Sequence, residues 1–274
     1  MHFRQGRFLL AGVALLFFVA CGGGSQEQDK GIADKQRAED WNKHVEEKGV
    51  PLAILDTLPE DDIPESTAGR SPMIDSLEQK LIDAGLVDVQ AVDPSILLDL
   101  RYATKNNFLR KNVYGSLRKA YLQPEAADML AEASQALQED YPDLRLMVFD
   151  GVRPRSVQFA MWRIVKGTAQ EQYVASPKTG SIHNFGAAVD LTIATAEGKA
   201  LDMGTPFDFF GQKAQPRYED ALLASGELTA QQVENRRLLR KIMTDAGFSI
   251  INNEWWHFNA FPASETRKRF EMVE

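Results

Sequence analysis

Apolar residues recur at helical spacing in three stretches of the chain. Ala127, Leu130, Ala133 or Ser134, Leu137 and Tyr141 follow Pro124, which suits a first helical turn, and they predict a helix with those residues on its buried face. Phe159, Trp162 and Val165 predict an amphipathic helix over 157–165, stopped by Gly167. Val233, Leu239, Ile242, Met243 and Ala246 predict a third, capped by Thr229 and ended by Gly247. A shorter helix over 76–84 ends at Gly85. Between the helices lie short apolar runs with strand character at 87–92, 96–100, 144–149, 187–193 and 248–252, with 254–258 continuing the last or pairing with it. Residues 212–228 read as a surface excursion. Strands and helices mix without regular alternation and no internal repeat is present. This predicts an α+β fold: one compact domain with a central, mainly antiparallel sheet and flanking helices.

The start of the chain has a different texture. Arg4 and Arg7 precede thirteen apolar or small residues at 8–20. A spanning helix needs about 20 residues, so 1–20 reads as an export signal peptide and not as an anchor. Phe18-Val19-Ala20-Cys21 resembles the bacterial lipoprotein processing site, with phenylalanine where leucine is usual. Cys21 is the only cysteine, which excludes an intramolecular disulfide. The run Gly22-Gly23-Gly24-Ser25 after it cannot build a core around a thiol. Lipidation of Cys21 is therefore expected, with membrane attachment through acyl chains; an incidental thiol is the alternative. Residues 21–72 are polar and acidic, with Glu60-Asp61-Asp62 and prolines at 51, 59, 64 and 72, and read as a low-order tether with a short helix near 38–48.

Formal charge is −8, and loss of 1–20 removes two arginines and no acid, giving −8 − 2 = −10 for the mature chain. Such a surface argues against nucleic acid and against a polybasic grip on anionic lipid. Residues 73–274 suffice for one well-buried core.

The chemistry begins with 180–193, G-S-I-H-N-F-G-A-A-V-D-L-T-I. Asp190 sits in an apolar strand, where an ionised carboxylate is costly unless something positive compensates it. A metal cation does so most directly, and Gly186 permits the bend that would bring His183 beside Asp190; a hydrogen-bonded structural pair is the alternative. Residues 253–259, N-E-W-W-H-F-N, again wrap a carboxylate and a histidine in large apolar groups. His2 lies in the leader and His44 in the tether, so both histidines of the expected domain fall in these two stretches.

Catalytic zinc takes three histidine or carboxylate ligands and leaves a position for water. His183, Asp190 and His257 supply three, for one zinc per chain. Glu254 remains as general base for the zinc-bound water, whose pKa the metal lowers towards ~7, and as proton donor to a leaving amine. Trp255, Trp256 and Phe258 would dry the site or simply pack the core. Pro154 holds Arg153 extended at a strand end. An arginine there suits the oxyanion of a carbonyl under attack, where preorganised donors contribute about 3 to 4 kcal/mol; an ordinary surface cation is the alternative.

Four motifs in order, D-L-R-Y-A-T-x-x-N-F, D-G-x-R-P, S-x-H-x-x-G-x-A-x-D and E-W-W-H, resemble the D-alanyl-D-alanine dipeptidase family of zinc peptidases over 88–261. The resemblance implies the fold shared with D,D-carboxypeptidases and the Hedgehog signalling domain. It also implies zinc on His183, Asp190 and His257, Glu254 as base and Arg153 as transition-state stabiliser. Asp208 would meet the substrate's ammonium and Ser181 its carboxylate, while Tyr102 and Asp150 would shape the substrate pocket. Val152 departs from the aromatic that relatives often carry, and the tether is outside the family core.

A lipid-tethered exported enzyme cannot reach the cytosolic pool of wall precursors. The expected role is scavenging or turnover of wall-derived D-Ala-D-Ala at a bacterial membrane, periplasmic or at the cell surface, with no obligate protein partner. The alternatives are a zinc D,D-carboxypeptidase acting on longer wall peptides and a non-catalytic, zinc-containing wall-binding lipoprotein.

Overall fold

A computed structural model of the chain describes residues 76–274. The expected signal peptide, Cys21 and the tether lie outside the described residues. Among the described residues no helix is long and apolar enough to cross a membrane.

In chain order the elements are α1 (Ser76–Asp83), β1 (Val87–Asp88), α2 (Val89–Val92), β2 (Leu97–Leu98), β3 (Tyr121–Leu122), α3 (Pro124–Asp140), β4 (Leu144–Asp150), α4 (Arg155–Val165), β5 (Ala188–Thr195), α5 (Glu219–Ser225), α6 (Ala230–Asp245), β6 (Ser249–Ile250), β7 (His257–Asn259) and α7 (Ala263–Arg269). β1 and β3 form a small antiparallel pair, and a five-stranded sheet runs in the order β2-β4-β5-β7-β6. β2 and β4 are parallel and the remaining neighbours are antiparallel. The architecture is mixed helix and sheet, compatible with a single α+β domain. Helices α3 and α6 pack against β4 and β5 and against each other. Val189, Leu191 and Ile193 alternate along β5 and join Leu130, Leu137, Leu239 and Met243 in the main buried cluster.

The local chemistry explains the long helices. Pro124 stands in the first turn of α3, where its missing N–H costs nothing. Thr229 caps α6 by accepting from Gln232 N at 3.2 Å, while Gln232 Oε1 accepts from Thr229 N at 2.9 Å, a reciprocal capping box.

Several expectations change. Residues 87–92 are a strand only at Val87–Asp88, because Asp88 Oδ1 accepts from Gln90 N at 3.1 Å and caps a single helical turn instead. Tyr141 follows α3 and is exposed, and Phe159 stands on the solvent side of α4, leaving Val157, Met161, Ile164 and Val165 to bury that helix. Residues 212–228 are no mere excursion, since Ala214, Glu219, Leu222 and Leu228 are all buried there. Strand 254–258 shrinks to β7, which puts Glu254 in the preceding loop.

The last residues belong to the framework. Val273 N donates to Asn184 O at 2.8 Å and Arg155 N donates to Val273 O at 2.9 Å. The segment after α7 therefore runs between the turn that carries His183 and the first residue of α4.

Candidate metal and catalytic site

Strand register assembles one side of the site. Asp190 of β5 lies opposite His257 of β7, and Asp150 of β4 lies opposite Asp190, so the three form a row across adjacent strands. Asp150 reaches this row because the ladder shifts after Val148, which faces Leu191. An irregularity of this kind redirects the next side chain to the other face of the sheet.

His183 arrives from a different element. A 3-10 turn, Ile182–Phe185, begins at Ser181, whose N–H donates to Asn184 Oδ1 at 2.7 Å, and ends at Gly186 with φ 65°. The backbone angle favours glycine at 186, and a Cβ there would also have to displace Leu86 Cδ2, 2.3 Å away. The turn delivers His183 Nε2 to within 3.2 Å of Asp190 Oδ1 and 3.0 Å of His257 Nδ1, and His257 Nδ1 is 3.0 Å from the same carboxylate oxygen.

The outer nitrogens decide what the inner ones can do. His183 Nδ1 is 2.8 Å from the carbonyl of Gly151, which can only accept, so the proton sits on Nδ1 and the Nε2 lone pair points inward. Gly151 itself lies so close to Tyr121 O that a Cβ would approach it to 2.9 Å. His257 Nε2 donates to Asn259 Oδ1 at 2.9 Å, turning its own Nδ1 inward.

Two imidazole lone pairs and a carboxylate oxygen facing one another in a buried site repel unless a cation stands among them. Donors about 2.0 Å from a tetrahedral ion are separated by about 3.3 Å, close to the spacing here, and an N, N, O set leaving a position open suits zinc. The donor chemistry fits a divalent metal held by His183, Asp190 and His257. Without one, a proton takes the place: burial disfavours a charged His257, yet the hydrogen bond and charge of Asp190 raise its pKa above the ordinary imidazole value. Burial likewise opposes the charge of Asp190, but the two imidazoles hold its carboxyl well below the usual range.

Arg153 stands next to this cluster. Its Nε and Nη2 donate to Asp150 Oδ2 at 2.9 and 2.6 Å, Nη1 donates to Gln158 Oε1 at 3.2 Å, and Nη2 lies 3.5 Å from Asp190 Oδ2. Burial works against the guanidinium's charge, but Asp150 and its neighbours outweigh it and raise the pKa further. The extended backbone predicted from Pro154 is locked as well, with Arg153 N donating to His183 O at 3.0 Å and Asn184 Nδ2 to Arg153 O at 2.7 Å. Asp150, expected against the substrate, is fully buried behind Arg153, where Tyr114 Oη also donates to it. It anchors the arginine and does not line the cavity.

One cavity of about 300 Å³ is lined by Tyr102, Arg153, Ser181, His183, Asp190, Asp208, Glu254 and His257, with Phe210, Trp256 and Arg267 among its other walls. Asp208 sits at φ 61°, a left-handed conformation that costs a non-glycine residue about 1–2 kcal/mol. Tyr102 Oη donates to its Oδ1 at 2.9 Å and Phe108 N to its Oδ2 at 3.3 Å. Burial nonetheless pushes its carboxyl up to about 7, with the bonds from Tyr102 and Phe108 and the charge of Arg153 pulling the other way. Glu254 accepts no hydrogen bond among the described residues, and burial pushes its carboxyl up to about 8 against the pull of His257.

Gln158, Asn259, Asn184 and Tyr114 complete the arrangement and were not singled out by the motifs. Two of them leave a trace in the sequence. Gln158 is a polar residue on the apolar face of α4, and Asn259 follows His257 by two, which puts both on the same side of a strand. The bond from Asn184 to the Arg153 carbonyl and that from Tyr114 to Asp150 are contacts that no local pattern reveals.

The profile described as D-ala-D-ala dipeptidase matches residues 82–273. A D-alanyl-D-alanine dipeptidase of Escherichia coli (strain K12) is 34% identical over 173 residues, which covers 63% of this chain and 83% of that protein. Its counterpart in Enterococcus faecium is 29% identical over 198 residues, covering 65% and 92%. A third, from Enterococcus faecalis (strain ATCC 700802 / V583), is 30% identical over 184 residues, covering 58% and 83%. These relatives support a peptidase. The matched span contains every cavity residue named above, from Tyr102 to Arg267, and the chain belongs to the D-Ala-D-Ala dipeptidase family.

Proposed function

We propose that the chain is a zinc-dependent dipeptidase that hydrolyses D-Ala-D-Ala to two D-alanines. In this reading His183, Asp190 and His257 hold the zinc, Glu254 is the general base and Arg153 stabilises the oxyanion. The observation that carries it is the contrast between two acids of one cavity: Asp190 is engaged by two imidazoles and a guanidinium, whereas Glu254 is left unpaired beside them.

Bound zinc would supply Lewis acidity and an open position for water. Glu254, with its carboxyl raised towards neutrality, takes a proton from the attacking water and returns it to the leaving amine. Arg153, fixed by Asp150 and Gln158, presents a charge that need not reorganise as the carbonyl oxygen turns negative. Asp208 receives the substrate's ammonium and Ser181 bonds its carboxylate, since a site that reads both ends of so small a molecule needs an anionic pole and a donor-rich one. The fold relation to D,D-carboxypeptidases and the Hedgehog signalling domain belongs to the same reading. So does the cellular setting: export, a lipid on Cys21, and scavenging or turnover of wall-derived dipeptide outside the cytosol.

The test is hydrolysis of D-Ala-D-Ala by the purified protein, with chelator and with zinc restored, beside a pentapeptide ending in D-Ala-D-Ala. Cleavage of the dipeptide that chelator abolishes and zinc restores is the expected result. Equal rates on the pentapeptide would assign a D,D-carboxypeptidase, and bound zinc without hydrolysis of either would leave a wall-binding protein. Unimpaired growth of a deletion strain on D-Ala-D-Ala as nutrient would overturn the scavenging role.

A further inference from the structure

We infer that Arg236 is a positioning residue for substrate recognition: from α6 its guanidinium holds both ends of the loop 203–213 and so sets where Asp208 stands. The inference rests on the reading of Asp208 as the group that meets the substrate's ammonium.

Arg236 is 1% exposed, well away from the solvated face where a helical arginine normally lies. Its Nε donates to Met203 O at 2.6 Å and its Nη2 to Lys213 O at 3.0 Å, the first and last residues of the loop. Nη1 has no hydrogen-bond partner among the described residues and stands 3.7 Å from Glu219 Oε1, in a carboxylate whose two oxygens Arg240 takes at 3.3 and 2.6 Å. The neighbouring Asn235 donates to Asp202 O at 2.8 Å, just ahead of the loop. Inside the loop Phe207 packs on Trp256 and Phe210 on Phe108, with ring centroids 5.3 and 5.2 Å apart. Between these two anchored rings Asp208 takes its left-handed backbone angle.

A non-glycine residue keeps such an angle only where its surroundings over-determine it, and a guanidinium bridging the two ends supplies that constraint. The same loop is tied to the segment that carries Glu254, because Trp255 Nε1 donates to Thr205 Oγ1 at 2.8 Å and the Trp255 ring lies 5.8 Å from the Arg236 guanidinium. The guanidinium that holds the loop of Asp208 thus also lies against the ring next to Glu254. If Arg236 served packing alone, replacing this incompletely paired buried charge by an apolar side chain of similar size would be neutral or stabilising, with unchanged kinetics.

The experiment compares the full-length, metal-loaded chain with Arg236→Met, Arg236→Lys and Thr205→Val, reading kcat and KM on D-Ala-D-Ala together with amide hydrogen exchange. Arg236→Met should raise KM about tenfold with kcat nearly unchanged, the pattern of lost binding. It should also speed exchange at 203–213 relative to β4 and β5. Arg236→Lys, which keeps the charge but not the fork, should fall between, and Thr205→Val should act in the same direction more weakly. Should Arg236→Met not fold, the other two variants decide. Unchanged exchange at 203–213 in the folded variants, or a loss confined to kcat, would overturn the inference. A wild-type chain inert towards D-Ala-D-Ala would sink the proposed function instead, and the exchange data would still show whether Arg236 fastens the loop.

Discussion

Asp190 and Glu254 line the same cavity, and burial pushes the pKa of each upward, yet they end at opposite extremes. Two imidazoles face Asp190 and drive its carboxyl far down, whereas Glu254 meets no donor among the described residues and rises to about 8. Burial therefore does not choose a carboxylate's role; the partners placed around it do. The acid whose charge is matched by neighbours suits a metal, and the acid left unmatched suits proton transfer.

The contrast breaks most completely at the matched acid. Asp190→Asn or His183→Ala should abolish metal retention and reduce turnover to the level of chelated wild type, measured by metal content beside the hydrolysis assay. Glu254→Gln should keep the metal but lose about 10²–10⁴-fold in kcat, as expected for removal of a general base. Arg153→Lys, which cannot reproduce the paired contacts to Asp150, should cost about 10²–10³-fold in kcat with metal content intact. Asn259→Ala removes the acceptor that orients His257 and should weaken metal affinity by about 10–100-fold, read by competition with a chelating dye.

The smallest effect is on stability. In the metal-free protein Glu254 has its pKa raised from 4.5 to about 8, so between those values the folded state holds a proton that the unfolded state releases. Its contribution is complete below 4.5 and fades as pH rises through about 8, and the melting temperature should decline across that window. Glu254→Gln should flatten the decline. A melting temperature that rises through the window by the same amount in both proteins would refute the assignment.

Much of this site is visible in the amino-acid order, for a physical reason. Asp190 within A-A-V-D-L-T-I and His257 within E-W-W-H-F are polar groups where a strand should be apolar, and such misfits need a chemical explanation. Arg153 is visible through the proline behind it. The rest depends on distance contacts. Asp150 carries the same signal as Arg153 in D-G-V-R-P, and only the ladder shift after Val148 shows that it turns in behind the arginine. The turn Val89–Val92 is lost to a strand reading because V-D-V-Q-A-V fits both periods, and the Asp88 cap decides between them. Arg236 reads as one of several charges on α6, and its burial comes from the fold of 203–213 and α5 over it.

The path of Val273 has a practical side. Since this residue bonds both the turn bearing His183 and the start of α4, a load placed on the chain beyond Glu274 would bear on the frame of a proposed metal ligand. Purification handles are better attached upstream of Ser76, and comparing zinc uptake by amino-terminally and carboxy-terminally tagged protein would show how far strain at that end reaches into the catalytic centre.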